Sequence, residues 1–244
     1  MKSKRLGLYF FMIMLFSLFF SSSAYALSKW QADYNKSLGL FKSKKYNSAL
    51  KFALAAVKEN KNPYTLELTG NILQFLKKFK SSSRYFKSSI AAVISNSSKT
   101  ASKSRIEVKN KTKFIKMVKN NIGLNYLLVG NILLKKDDTE TAIQSYKKGM
   151  PYASGKHLSD MLMLNSALAY ETNGKFKYAI NYAKKVIAND PKNAFAYFIK
   201  GRGEYGLKEV SISIKDLKSA LKLDTSNTMF KKSLKTAELA EKNR

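Results

Sequence analysis

The feature that most constrains the fold is a spacing of 34 residues that recurs in the second half of the chain. Ala167 and Gly201, which are 34 residues apart, are both small. Phe176 and Val210 have the same spacing, and both are bulky and apolar. Between the two units the segment 189–193 reads Asn-Asp-Pro-Lys-Asn, a pattern that ends one helix and starts the next. A repeat of this length predicts a fold made of stacked copies of one small unit.

Each unit has the pattern of two helices joined by a tight turn. In the clearest copy, small and apolar residues recur at helical spacing up to Tyr170, Asn173-Gly174 supplies the turn, and a second helix starts at Phe176. Only 3 prolines occur in 244 residues, which also favours helix. Weaker copies precede this one, with a small residue in the corresponding position of the first helix, such as Gly70 and Gly130.

The small residue, the following aromatic residue and the closing Pro191 resemble the tetratricopeptide (TPR) repeat, whose period is about 34 residues. The resemblance covers about 200 residues and is strongest over 122–225. It implies an all-α fold, a TPR-type α-solenoid of about five helix pairs with a concave groove. The segment 226–244 is expected to form a capping helix whose Leu234, Ala237 and Leu239 cover the last pair.

We expect five segments along the chain. Residues 27–94 form an N-terminal block of about two repeats, and 122–225 form a C-terminal block of about three. The polar, basic stretch 95–121 interrupts the period and is interpreted as an insertion with room for an extra helix. Residues 1–26 and 226–244 are the remaining two segments.

The N-terminus has the three parts of a secretory signal peptide. Lys2, Lys4 and Arg5 precede an uncharged apolar run over 6–20, and small residues with an A-x-A pattern follow. We therefore predict export, with cleavage after Ala26, to a bacterial periplasm or cell envelope. The alternative is an uncleaved anchor, although the apolar run is shorter than the roughly 20 residues of a typical membrane span.

The charge of the chain is strongly positive and unevenly distributed. The formal net charge is +29, and residues 68–136 contain 15 Lys or Arg but only one acid, Glu107. A basic half suggests an acidic partner, and anionic lipid or glycan at the envelope is the alternative function that it supports. Nucleic acid is not expected for an exported chain. The competing interpretation is lysine-rich composition on solvated helix faces. The predicted basic patch consists of Lys77, Lys78, Lys80, Lys109, Lys111 and Lys113.

No motif for catalysis, metal binding or a cofactor stands out. The chain has no cysteine and a single histidine, His157, so a thiolate zinc site or a catalytic triad is not expected. The run Gly201–Gly206 spells G-x-G-x-x-G, but it falls inside a predicted helix rather than after a strand. We therefore predict a non-enzymatic protein without a cofactor.

The resemblance also implies where a ligand would bind, because the first helix of each TPR unit lines the groove. Asparagines at these positions would bond the backbone of a protein or peptide ligand, since an amide both donates and accepts. Apolar residues stand at the positions where relatives that clamp a terminal carboxylate carry lysine, so an apolar groove is expected instead. The alternative is that part of this apolar set belongs to the core or lies under the C-terminal helix. The predicted partner-binding residues are Asn71, Leu127, Asn131, Leu164, Asn165, Phe195, Phe198 and Arg202.

Overall fold

The computed structural model describes residues 27–98 and 108–243. The predicted signal segment 1–26 and the middle of the predicted insertion lie outside the described residues. Within them the chain forms eleven α-helices and one short 3-10 turn, Met150–Tyr152, without any strand. The helices are α1 Lys29–Lys42, α2 Tyr46–Glu59, α3 Pro63–Phe75, α4 Phe79–Ser98, α5 Lys111–Leu134, α6 Thr139–Gly149, α7 Lys156–Thr172, α8 Phe176–Asn189, α9 Ala194–Gly206, α10 Val210–Leu223 and α11 Thr228–Lys242.

The helices form five antiparallel pairs, α1–α2 to α9–α10, followed by the single helix α11. Each helix packs on the next one along the chain. The first helices of successive pairs also touch one another, whereas the described second helices do not. The row of first helices (α1, α3, α5, α7, α9) therefore lies on the inner, more tightly curved side of the stack. The predicted all-α solenoid of five helix pairs is confirmed.

Local sequence explains where the pairs begin and turn. Asn62 caps α3 by accepting from the backbone of Tyr64 and Thr65 at 2.9 and 3.1 Å, and Pro63 takes the first helical position. Asn193 and Asn227 cap α9 and α11 in the same way. Inside each pair, the turn contains one residue with positive φ. These residues are Lys44, Lys77, Asp137, Gly174 and Lys208.

Close crossings hold each pair together. At Gly70 an added Cβ would lie 2.6 Å from the ring of Phe86, and at Gly201 it would lie 2.9 Å from Leu217. These contacts leave no space for a side chain, which explains why small residues recur with the period. Burial then continues between pairs, because one apolar core extends over residues of α5 to α11.

Helix α5 is longer than the first helices of the other pairs. The sequence predicts an insertion over 95–121 with room for an extra helix, but residues 111–121 form the first three turns of α5 rather than a separate helix. Phe114, Val118 and Ile122, spaced four residues apart, are buried in one cluster with Phe86 and Val93 of α4. The apolar face continues without a break into 122–134, so nothing ends the helix at 121. The division into two repeat blocks stays a prediction.

Helix α11 covers the end of the stack. Phe230, Leu234 and Ala237 are buried, and the ring of Phe230 stacks on that of Phe198 with centroids 4.7 Å apart. Leu239, which was expected to join this contact, is instead 51% exposed. Among the described helices, none is long and apolar enough to span a membrane.

Candidate functional site

The predicted partner-binding residues all lie on first helices, on the inner row of the stack. Asn71 is on α3, Asn131 on α5 and Asn165 on α7. Helices α5 and α7 are in contact, as are α7 and α9. The predicted residues of the last three pairs therefore lie on adjacent helices of the inner row.

Asn131 is held in one orientation by its neighbour on α6. The hydroxyl of Tyr146 donates to Oδ1 of Asn131 at 2.8 Å. Within the described part of the chain, the amide nitrogen of Asn131 makes no hydrogen bond, and the side chain is half-buried. Because the hydroxyl of Tyr146 occupies the side-chain oxygen of Asn131, the side-chain nitrogen remains available as a donor.

Asn165 is fixed in the complementary way. Its amide nitrogen donates to the carbonyl oxygen of Met161, one turn earlier in α7, at 2.8 Å. No donor among residues 27–98 and 108–243 reaches its side-chain oxygen. Asn165 therefore offers an acceptor where Asn131 offers a donor. A peptide group needs this combination, since it presents one acceptor and one donor.

Asn71 differs from the other two asparagines because both ends of its amide are engaged. It donates to the carboxylate of Glu67 and accepts from the amide of Asn121 at 3.2 Å. Burial raises the pKa of Glu67 to about 7, although the bond from Asn71 opposes the shift. The carboxylate of Glu67 also raises the pKa values of Tyr34 and Tyr64, after burial as the main cause. The structure thus places Asn71 in an internal polar cluster.

The four apolar candidates separate into two kinds. Leu127 and Phe198 are each only 1% exposed and belong to the core. Phe198 lies under Phe230 of the C-terminal helix. Leu164 and Phe195 are half-buried and pack at the edge of the same core, so part of each side chain remains accessible. Leu127 and Phe198 are therefore core residues, whereas Leu164 and Phe195 keep accessible surface and their role in a groove stays a prediction.

Arg202 is already paired. Its guanidinium lies 2.6 Å from the carboxylate of Glu171 and 5.6 Å from the centre of the Phe198 ring. Burial raises the pKa of Glu171, and Arg202 opposes that shift. The pair connects α7 to α9, and it leaves less of the arginine charge for a ligand.

The structure does not bring the predicted basic patch together. Lys77 and Lys78 lie in the turn after α3 and Lys80 in the first turn of α4, whereas Lys109 lies just before α5 and Lys111 and Lys113 in its first turn. The start of α5 packs beside the opposite end of α3, because the ring of Phe114 contacts Tyr64 with centroids 5.5 Å apart. A helix of 13 residues is about 20 Å long, so the two groups lie at opposite ends of the second pair.

Sequence reasoning missed a buried charged cluster in the last pair. The ammonium of Lys200 lies 2.9 Å from the carboxylate of Glu204 and also bonds Asp216. Burial and the neighbouring Asp216 raise the pKa of Glu204 to about 7, against the effect of Lys200. The cluster joins α9 to α10. The spacing of Lys200 and Glu204, four residues apart in a helix, was the only signal in the sequence.

Two other kinds of site considered from the sequence, a metal site and a nucleotide-binding glycine motif, find no support in the described residues. No group of acids and histidine in the described ranges could hold a metal ion. The glycines of the G-x-G-x-x-G run lie within α9 and face side chains. An added Cβ would lie 2.8 Å from Ile180 at Gly203 and 2.5 Å from Phe176 at Gly206. These glycines therefore have a packing role.

Comparisons with known proteins agree with this architecture. A family model described as "Tetratricopeptide repeat" matches residues 125–150 and 162–193, which cover most of the third and fourth helix pairs. No curated protein matches the chain. The fold is thus a TPR-type α-solenoid.

Several solved structures are similar to this chain at low sequence identity. The MamA RS-1 ArsTM double mutant is 15% identical, with 83% of this chain and 98% of that chain covered and a TM-score of 0.51. YrrB, described as a TPR protein with an unusual peptide-binding site, is 14% identical, with 86% and 90% covered and a TM-score of 0.49. The first TPR domain of human RPAP3 is 24% identical, with 51% and 95% covered and a TM-score of 0.48.

Proposed function

We propose that the protein is an exported, non-enzymatic scaffold that binds an extended segment of a partner protein on the inner face of α5, α7 and α9. The observation that supports this proposal is the pair Asn131 and Asn165. One side chain presents a fixed donor and the other a fixed acceptor, on two helices that touch. An extended backbone offers its own acceptors and donors to such a pair at every residue.

Preorganisation makes these two asparagines more useful than exposed ones. Tyr146 and the backbone of Met161 already hold the amides, so little side-chain entropy is lost when a ligand binds. Leu164 precedes Asn165 on α7, and Phe195 lies on the adjacent helix α9. Part of the apolar surface of each side chain is accessible. They would contribute burial for the ligand side chains, while the amides fix the register of its backbone.

The test is a peptide-binding measurement on matched variants. Peptides are selected on the purified protein from a random 12-residue library, and their affinities are measured by fluorescence anisotropy. We expect Asn131→Ala with Asn165→Ala to weaken binding about tenfold or more, because two hydrogen bonds are lost. The control is Asn35→Ala with Asn47→Ala, which changes two exposed asparagines on the first pair.

The control should bind as tightly as the unchanged protein, and both variants should unfold within a few degrees of it. Equal affinities for the two double variants would show that the peptide binds elsewhere. A library that yields no binder to the unchanged protein would contradict the scaffold function itself.

Export and location belong to the same proposal. The basic, apolar and small-residue parts of 1–26 support a signal that directs the chain to a bacterial periplasm or cell envelope.

A further inference from the structure

A second concave surface lies on the outer side of the stack, where the second helices lie. It is a groove of about 450 Å³ between the second helices α4 and α6, and α5 forms its floor. We call it the basic groove. Its lining residues are Phe79, Lys80, Ser83, Arg84, Lys87, Asn125, Tyr126, Val129, Leu133, Thr141, Gln144, Ser145 and Lys148.

The walls of the basic groove carry positive charge on both sides. Lys80, Arg84 and Lys87 have spacings of four and three residues, which puts them on one face of α4. Lys148 faces them from α6. The lining contains no acid, and none of these four cations forms an ion pair within the described residues.

The acids nearest in sequence to the α6 wall already have other roles. Asp138 caps α6 by accepting from the backbone of Thr141 at 3.2 Å. Glu140 pairs with Lys175 at 3.0 Å. Asp138 and Glu140 therefore do not neutralise the positive charge of the groove walls. Such a concentration of one sign in a concave surface attracts counter-charged ligands.

The floor is apolar and firmly held. Tyr126, Val129 and Leu133 are half-buried along one face of α5. Beside them Asn125 is buried, and its amide donates to the hydroxyls of Ser82 and Ser83 at 3.0 and 2.9 Å. These bonds connect the floor to the α4 wall. The groove therefore has a defined shape without a ligand.

An aromatic pair lies beside the groove. The ammonium of Lys87 lies 5.6 Å from the centre of the Tyr152 ring, and that ring stacks on Tyr126 with centroids 6.0 Å apart. The cation–π contact keeps Lys87 beside the floor instead of extended into solvent.

We propose that the basic groove binds a phosphate-bearing ligand that has an apolar body. Four cations exceed what one carboxylate would neutralise, and a phosphate monoester carries close to two charges and three acceptor oxygens. Arg84 can bind such a group through two parallel hydrogen bonds. The apolar body would lie on Tyr126 and Val129. The volume falls in the usual range for small-molecule sites, about 300–1,000 Å³.

This site is separate from the inner peptide-binding face and shares only Lys80 with the basic patch predicted from the sequence.

Both a phospholipid headgroup and a soluble phosphate ester have the required chemistry. The experiment therefore uses one probe for each source. The soluble probe is 1-naphthyl phosphate, followed by calorimetry, with 1-naphthol as the uncharged control. The membrane probe is phosphatidylcholine vesicles with and without phosphatidic acid, followed by co-sedimentation.

The variants remove the same charge from two places. Arg84→Gln with Lys148→Gln takes one cation from each wall, and Lys215→Gln with Lys222→Gln takes two exposed lysines from α10. We expect the groove variant to lower the affinity about tenfold or more, because charge-assisted bonds are lost, and the α10 variant to change it less than about twofold. Both variants should keep the unfolding temperature of the unchanged protein.

Each outcome decides the proposal. Binding of 1-naphthyl phosphate that depends on the groove cations would assign a soluble phosphate ester, and groove-dependent binding to vesicles alone would assign a lipid headgroup. Equal losses in the two variants would mean attraction by net charge without a site, and would overturn the proposal. Absence of binding to both probes would overturn it as well.

Discussion

At the scale of single residues, Glu67 is the clearest case of a side chain whose surroundings change its chemistry. It lies on the inner face of α3 with Asn71 as its hydrogen-bond partner and without a cation among the described residues. Burial therefore raises its pKa to about 7 from an ordinary value of 4.5. The carboxyl group of Glu67 therefore holds its proton more tightly in the folded protein than in the unfolded chain.

A raised carboxyl pKa fixes the direction of the pH dependence. The contribution of Glu67 to stability is fully present below pH 4.5 and is lost as the pH rises through about 7. Glu204 acts in the same direction. We predict that the free energy of unfolding falls between these pH values, measured by urea denaturation at several pH values.

The variant Glu67→Gln should flatten that fall without removing it, since Glu204 remains. Its side-chain oxygen can still accept from Asn71, and the variant should be more stable than the unchanged protein at pH 8. Glu209→Gln, which removes one charge at an exposed position, serves as the control. A pH profile that is the same in both variants would contradict the role of Glu67.

The sequence predicts which helices carry the candidate asparagines, but not how their side chains are oriented. Repeat phase placed Asn71, Asn131 and Asn165 on first helices. Only the structure shows that Asn71 is bonded at both ends by Glu67 and Asn121, because Asn121 lies 50 residues away in the chain. Burial of Leu127 and Phe198 also depends on neighbours that the periodicity does not specify.

At the scale of helices, the crossing of α5 and α6 shows how the repeat is enforced. An added Cβ at Gly130 would lie 2.3 Å from Cε1 of Tyr146, and that ring is fully buried with its hydroxyl bonded to Asn131. The ring has no free space to move into. One small residue therefore positions both the pair of helices and the Tyr146 hydroxyl that bonds Asn131.

We predict that Gly130→Ala lowers the free energy of unfolding by about 2 kcal/mol, because the added methyl forces the helices apart. Gly39 in α1 is the matched control, since an added Cβ there has no neighbour within 4 Å. Gly39→Ala should instead raise stability by about 1 kcal/mol through helix propensity. Urea denaturation measures both, and equal effects of the two changes would refute the crossing argument.

Helix ends could be predicted where they are marked by capping residues in the sequence. They were harder to predict where they depend on contacts between helices. Proline and asparagine mark the starts of α3 and α9. The first three turns of α5 were assigned to an insertion because the repeat period fails there. Their burial depends on Phe86 and Val93 of α4, a contact between different helices.

At the scale of the whole molecule, the order of the pairs and the covering C-terminal helix followed from the repeat. The basic groove did not, because its walls come from α4 and α6, which do not touch. Charge counts could show that residues 68–136 are basic. They could not show that Arg84 and Lys148 face each other across an apolar floor, since that depends on the angle between successive pairs.

The export proposal gives a prediction for the entire chain. Removal of 1–26 would take away Lys2, Lys4 and Arg5 and lower the formal net charge from +29 to +26. We expect N-terminal sequencing of protein from the envelope fraction of the producing cell to begin at Leu27. A chain that still begins with Met1 would indicate an anchor, and protein confined to the cytosol would disprove export.

Helix α5 takes part in both proposed surfaces. Asn131 and Val129 are two residues apart, so their side chains point in directions about 160° apart around the helix. A partner segment on the inner row and a phosphate ligand in the basic groove would then be separated by a single helix, about 10 Å thick. The two could be held at the same time, and the protein would act as an adaptor that keeps its partner beside a phosphorylated molecule or a membrane surface.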